Sequence, residues 1–356
     1  MTAEKPVPSG IPGAVTLGAS VSAREVHPPA LHPQNGQKPS AFYKQMAEFA
    51  MKYGAAAIPC LKDFLKDSNW QTRCAALRAL ACTGSPEAAQ ILASFINNQA
   101  SVEESAQAAM ALGSMDTPGA TQTLLQKYTE NPAETLRSCL LDTLASRPYS
   151  ETASFFQNYL NSGNNALEEK ADVITALGFH KQAPLELITP YLHSTDEDLR
   201  SGAYQALAFR GNSSQGQLLL TKVDSEATPA TRGYLYEAIG AQKDVPAYQI
   251  AQTARRETDP NAQLRAFKAW GAAVGRSQDA GDRREFANSA VPSLVENALS
   301  NPDPGEQRAA LQALASSRTP EAQKALQTIS QKTSSQNLSK LAKSLSEKIE
   351  PSVKNL

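Results

Sequence analysis

From residue 41 onward, apolar residues recur at spacings of three and four, so the chain reads as one amphipathic helix after another. The stretch RCAALRAL (73–80) sets a template: a basic residue, small residues, an apolar residue, then Ala-Leu. Related stretches are SAQAAMAL (105–112), RSCLLDTL (137–144), KADVITAL (170–177), RSGAYQAL (200–207) and RGYLYEAI (232–239). Weaker copies are QLRAFKAW (263–270), QRAALQAL (307–314) and LSKLAKSL (338–345). The closing residues, here called anchors, are Leu80, Leu112, Leu144, Leu177, Leu207, Ile239, Trp270, Leu314 and Leu345. They lie 32, 32, 33, 30, 32, 31, 44 and 31 residues apart. A period this steady marks stacked structural units, and its length fits two helices and their turns. The single long interval predicts an insertion near 276–287.

Within each unit the residue before the anchor is small, as at Ala79, Ala176, Ala206 and Ala269, while the residue three before it supplies bulk, as at Leu77, Ile174, Tyr204 and Tyr236. That pairing predicts a buried stripe on which neighbouring helices approach closely. Glycines after the anchors (Gly84, Gly113, Gly178, Gly211, Gly240) suit helix C-termini. A recurring phrase, a hydroxyl residue followed by Pro, stands five residues past Leu80, Leu112 and Leu314. Ser85, Thr117 and Thr319 are therefore expected to cap the second helix of their units, with Pro in its first turn.

The flanks differ. Residues 1–40 hold seven prolines and no helical or strand period, which predicts a disordered Pro-rich tail. A capping helix at 41–54 follows, then the repeats at 55–348 and a C-terminal tail at 349–356. Thirty-four basic against 35 acidic residues give a net charge of −1, which argues against nucleic acid as partner, since phosphate binding calls for a basic excess. No apolar run reaches the length of a membrane span. The four cysteines, at 60, 74, 82 and 139, have no metal or redox spacing and read as small apolar fillers. A cytoplasmic protein is expected. The alternative is export by way of IPGAVTLGASVSA (11–23), which imitates a leader but is broken by Pro12 and Gly13.

The Arg-x-x-Ala-Ala/Leu-x-x-Leu-like helices and the turns before them (KDSNWQTR, TENPAETLR, STDEDLR, TDPNAQLR) resemble the HEAT-repeat family, including its short bacterial variety. The resemblance implies an all-α fold: a right-handed α-solenoid of about nine two-helix repeats, with the Arg-bearing helices lining the concave side. It also implies an Asp–Arg ladder between repeats, made here by Arg73, Arg137, Lys170, Arg200 and Arg232, each seven residues before its anchor. Asp67, Asn131, Asn164 and Glu226, thirteen before theirs, would be the partners in the turns.

Chemistry is sparse. The folded part holds only His180 and His193, and no HExxH, phosphate loop or nucleophile elbow is present. No catalytic, cofactor-binding or metal-binding residue is expected. Tyr234 stands outside the buried register, and with Tyr248, Arg232, Arg265 and Lys268 it forms the candidate partner-binding set. The leading functional expectation is a non-enzymatic scaffold or adaptor that holds a protein or peptide in the concave groove. The alternatives are a HEAT-type enzyme or subunit, bilin lyase-like or DNA glycosylase-like, and a secreted effector with residues 1–40 as its leader.

Overall fold

The computed structural model describes residues 31, 38–97, 101–130, 132–163 and 166–349; the remainder of the N-terminal tail and residues 350–356 lie outside the described residues. Among the described residues there are helices and 3-10 turns and no strand. Two bodies, residues 1–92 and 93–356, are distinguished.

In the N-terminal body the first helix, Pro39–Tyr53, begins two residues inside the stretch read as tail. Pro39 sits at its first position, where a missing N–H costs nothing. This helix and the short Ile58–Phe64 helix both pack on the anchor helix of repeat 1, Trp70–Ala81. Phe42, Met46, Leu61, Leu77 and Leu80 are buried there, with Phe42 edge-on to Phe64 at 5.5 Å. Asn69 caps the anchor helix by accepting from the Gln71 N–H at 2.9 Å.

The C-terminal body is a series of anchor helices, each packed on the next. They run Val102–Gly113, Glu134–Ser146, Leu167–Leu177, Glu197–Arg210, Pro229–Ala241, Pro260–Val274, Pro304–Ser317 and Gln336–Lys348. This is the arrangement of an α-solenoid. The anchors Leu112, Leu144, Leu177, Leu207, Ile239, Trp270 and Leu314 are buried, as are Tyr204, Tyr236 and Phe267 three before theirs. A fully buried leucine such as Leu207 contributes on the order of 2 kcal/mol by removed area alone.

The glycines expected at helix ends stand there, and close approach of the next helix is a second reason for them. Gly178 is the C-cap of its helix, as expected, with helical φ and ψ, and a Cβ there would lie 2.5 Å from the Ala206 carbonyl oxygen of the next anchor helix. Gly113 and Gly240 are likewise helical and face the neighbouring anchor helix. Gly211, with φ of 81°, does end its helix in the left-handed region.

Three expectations are corrected. Leu345 is only half-buried; Leu338, Ala342 and Ser346 are the buried stripe of the last repeat, so its anchor is Ser346. The cap agrees: Ser335 stands eleven before Ser346, the offset at which Asn69, Ser101, Asp196, Asp259 and Asp303 cap their anchor helices. Thr117 is the second correction. Ser85 and Thr319 accept from the Glu87 and Ala322 N–H groups as expected, but the buried Thr117 hydroxyl has no partner among the described residues. Gly119, left-handed with φ of 84°, follows in place of Glu and delays that helix to Ala120. Third, repeat 4 has no second α-helix. Pro184 and Pro190 remove donors there, and two 3-10 turns, Leu185–Leu187 and Thr189–His193, take its place.

The long interval in repeat 7 holds an additional helix, Ala280–Ser289, before the second helix, Val291–Ser300. Cys82 is exposed rather than a core filler, whereas Cys74 is buried; all four cysteines are free thiols.

Candidate partner-binding face

Two sets of long donors tie the repeats together. The first is the residue seven before the anchor. In its own turn it reaches back to the carbonyl thirteen before the anchor: Arg73 to Asp67, Arg200 to Ser194, Arg232 to Glu226, Gln263 to Glu257, Gln307 to Asn301. Lys170 does the same work on Ser162, at 3.1 Å.

Where the next repeat places a carboxylate thirteen before its anchor, the arginine also bridges forward. Arg200 donates through Nε and Nη2 to Glu226 at 2.9 and 2.7 Å, and Arg232 to Glu257 at 2.8 and 2.9 Å. The Tyr204 hydroxyl adds a third bond to Glu226. Burial pushes the Glu257 carboxyl up, but the Arg232 guanidinium and the Asp259 and Thr258 N–H groups outweigh it and hold it below the ordinary glutamate range. Glu257 was missed in the sequence although it stands thirteen before Trp270. Arg137 pairs with Glu169 at 2.8 Å, a residue eight before its anchor. Asn131 and Asn164 lie outside the described residues.

A second ladder, unforeseen from sequence, stands three residues past the anchor. Arg147 donates to the Gly113 and Met115 carbonyls of the preceding repeat, and Arg210 to those of His180, Lys181 and Ala183. Gln242 holds the Gly211 carbonyl in the same way. Arg276, further along its turn, reaches the Gly240 and Gln242 carbonyls.

His180 is buried by this second ladder, against Tyr149 and Phe156, with Nε2 3.5 Å from the Thr152 hydroxyl. Burial, and then the Arg210 cation, push its pKa down to about 4. It is a neutral core side chain. His193 is exposed, its Nδ1 2.9 Å from the Lys222 ammonium. Among the described residues no group of three or more His, Cys, Asp or Glu side chains is placed to hold a metal ion.

The candidate set divides. Arg232, expected both in the ladder and in the partner-binding set, has Nε, Nη1 and Nη2 all engaged in the ladder. Tyr234, 38% exposed, and Arg265 line one open groove of ≈ 410 Å³ together with Pro229, Asn261 and Glu306. Glu306 holds Arg265 at 2.7 Å, and Glu237 holds Lys268 at 3.2 Å. Tyr248, 51% exposed, lies on the second helix of repeat 6 and is not among the groove residues.

Tyr234, Glu237 and Ala241 form one solvent-facing stripe of an anchor helix, at five before, two before and two after the anchor. The same places in repeats 4 and 5 are Asp172, Thr175, Phe179 and Gly202, Gln205, Phe209, of which Gly202 is buried against Ala171 rather than facing solvent. Phe179 and Phe209 stack with ring centroids 4.5 Å apart and planes at 20°, though each is about half exposed. Phe179 escaped the sequence reading because it falls just beyond the last helical residue, Leu177.

Comparison with known proteins finds a repeat family at the N-terminal end. Residues 31–106 match the family model described as HEAT repeats. No curated protein matches the chain. Among solved structures, YibA of E. coli aligns over 89% of this chain and 99% of its own, at 11% identity and a TM-score of 0.38. A chain from a study of computationally designed, self-assembling cyclic homo-oligomers aligns over 87% and 92%, at 16% identity and a TM-score of 0.13. At those scores neither alignment carries an argument about how the helices are arranged. Residues 31–106 are therefore similar to HEAT repeats, and the same anchor, cap and turn bonds recur through the later repeats.

Proposed function

We propose that the protein is a non-enzymatic binding scaffold that holds an extended segment of a partner protein against the exposed stripe of its anchor helices. The observation that carries this reading is the stripe itself. Met110, Phe179, Phe209 and Tyr234, four large apolar side chains left exposed, all fall on it, in repeats 2, 4, 5 and 6. Exposed aromatics on a rigid surface are the usual energetic centre of a protein interface, because they bury much area with little loss of side-chain freedom.

The packing supports the choice of face. Anchor helices in repeats 4–7 meet backbone to backbone, at Gly178 on Ala206, Gly202 on Ala171 and Gly240 on Ala269. Close packing of these helices leaves the stripe as a continuous surface on which a partner segment can lie. The repeat count then sets the span of the bound segment.

The experiment is selection from a random-peptide display library on the full chain. Alanine at Phe179, Phe209 and Tyr234 together is expected to abolish enrichment, while Tyr248→Ala, on the second-helix layer, keeps it. Enrichment unaffected by the triple substitution would move the binding surface elsewhere.

A further inference from the structure

The chemistry of the occupant can be read further, given the scaffold reading above. Beyond the aromatic stack, at the far end of the same body, Arg276, Arg318 and Lys348 line an open groove of ≈ 500 Å³ whose wall includes Leu345 and Ile349. No carboxylate is among the described residues that line it. Two guanidinium nitrogens of Arg276 are spent on carbonyls, which fix the side chain without neutralising it, and burial pushes its pKa down. Such a cluster of cations suits an acidic group.

The groove and the aromatic stack share one register line. Phe179, Phe209, Ala241, Ala272, Ser316 and Lys348 all stand two residues past their anchors, counting the last repeat from Ser346. The three residues between the ends are small, so the track joining the stack to the groove is free of bulk. From repeat 5 to repeat 8 is three helix steps, about 24–30 Å at the usual packing distance. An extended chain covers that in about eight residues. At the other end Asp142 and Asp172 are exposed on the same stripe in repeats 3 and 4, which repels an acidic segment and gives the track a direction.

We propose that the occupant is an extended segment of a partner protein with an apolar side chain on the Phe179–Phe209 stack and, about eight residues along, acidic side chains in the Arg276–Arg318–Lys348 groove. Nucleic acid fits worse, because only one end of the track is basic.

The test uses fluorescein-labelled synthetic peptides about twelve residues long on the full chain, read by fluorescence anisotropy. One carries Trp and an Asp-Glu-Asp triplet about eight residues apart; a second has Lys in place of the acids; a third brings Trp and triplet side by side. The first is expected to bind, the second not, and the third at least about tenfold more weakly. The exposed-site variants Phe179→Ala with Phe209→Ala, and Arg318→Glu with Lys348→Glu, each weaken the first peptide by about tenfold or more. Only the second pair removes its salt dependence. Thermal melting confirms that both pairs fold. Equal binding of the Lys peptide, or no effect of the Arg318 and Lys348 changes, overturns the proposal. If no synthetic peptide binds while library peptides are still captured on the stripe, this inference falls and the scaffold reading stands. If the library yields nothing, both fall.

Discussion

Repeats 5 and 6 and repeats 7 and 8 solve the same local problem with different side chains. Arg200 and Arg232 close their own turns through carbonyls and also grip a buried carboxylate of the next repeat. Gln263 and Gln307 occupy the same register place and close the same turns, yet carry no charge. Closing a turn therefore needs only a long donor, whereas linking two repeats needs a guanidinium with a carboxylate facing it. The change falls where the inserted helix Ala280–Ser289 lengthens the connection, and Arg265 with Glu306, at 2.7 Å, joins repeats 7 and 8 instead.

Four measurements break or sharpen this contrast. The largest effect is expected from Glu226→Ala. It strips Arg200 and the Tyr204 hydroxyl of their partner, and the loss of one member of a buried pair costs about 3–5 kcal/mol. Urea unfolding reads it, and a loss below about 1 kcal/mol would show the ladder to be ornamental. Next comes acid. Folded His180 titrates near 4 against an ordinary 6.5, so the unfolded chain takes up that proton first. Stability then falls as pH drops from about 6.5 to about 4, by at most ~1.4 kcal/mol per pH unit. His180→Phe should flatten that limb of the melting curve. Below it Glu257 adds a further loss: its pKa is lower folded than unfolded, so its contribution is whole above the ordinary glutamate range and disappears as pH falls through its folded value.

Smaller effects test the other half of the comparison. Gln263→Ala loses only a turn bond, about 0.5–1.5 kcal/mol, and should leave the cooperativity of unfolding unchanged. Smallest is the constructive change. Gln263→Arg with Asn301→Glu installs the missing ladder step between repeats 7 and 8, worth up to about 1 kcal/mol in a double-mutant cycle. A coupling of zero would show that the inserted helix has moved the two positions out of reach.

The sequence made the anchors, caps and ladder arginines legible because each lies at a fixed offset from a leucine, and an offset survives without knowledge of the fold. It concealed what depends on a neighbour one repeat away. Glu257 carries the right offset, but its value as a partner appears only when Arg232 is seen across from it. The last repeat was read one residue early because Leu345 looks like an anchor; the buried residue there is a serine, Ser346. Gly178 was legible as the helix terminator it is, but its close approach to Ala206 was not, because backbone contact leaves no pattern in the sequence. Phe179 was invisible to helical periodicity, standing just outside the helix it serves.

The turn bonds have a consequence for how such a chain changes length. In repeats 5 and 6 the bonds from Arg200 and Arg232 to their own turn carbonyls run within one repeat, and the same two arginines join a fixed place in one repeat to a fixed place in the next. Copying residues 208–239 in tandem would therefore set a second Glu226 opposite the first Arg232 and seal its own junction, extending the track by one helix step of about 8–10 Å. Repeats 5 and 6 are in this sense graduations of a ruler that carry their own fasteners.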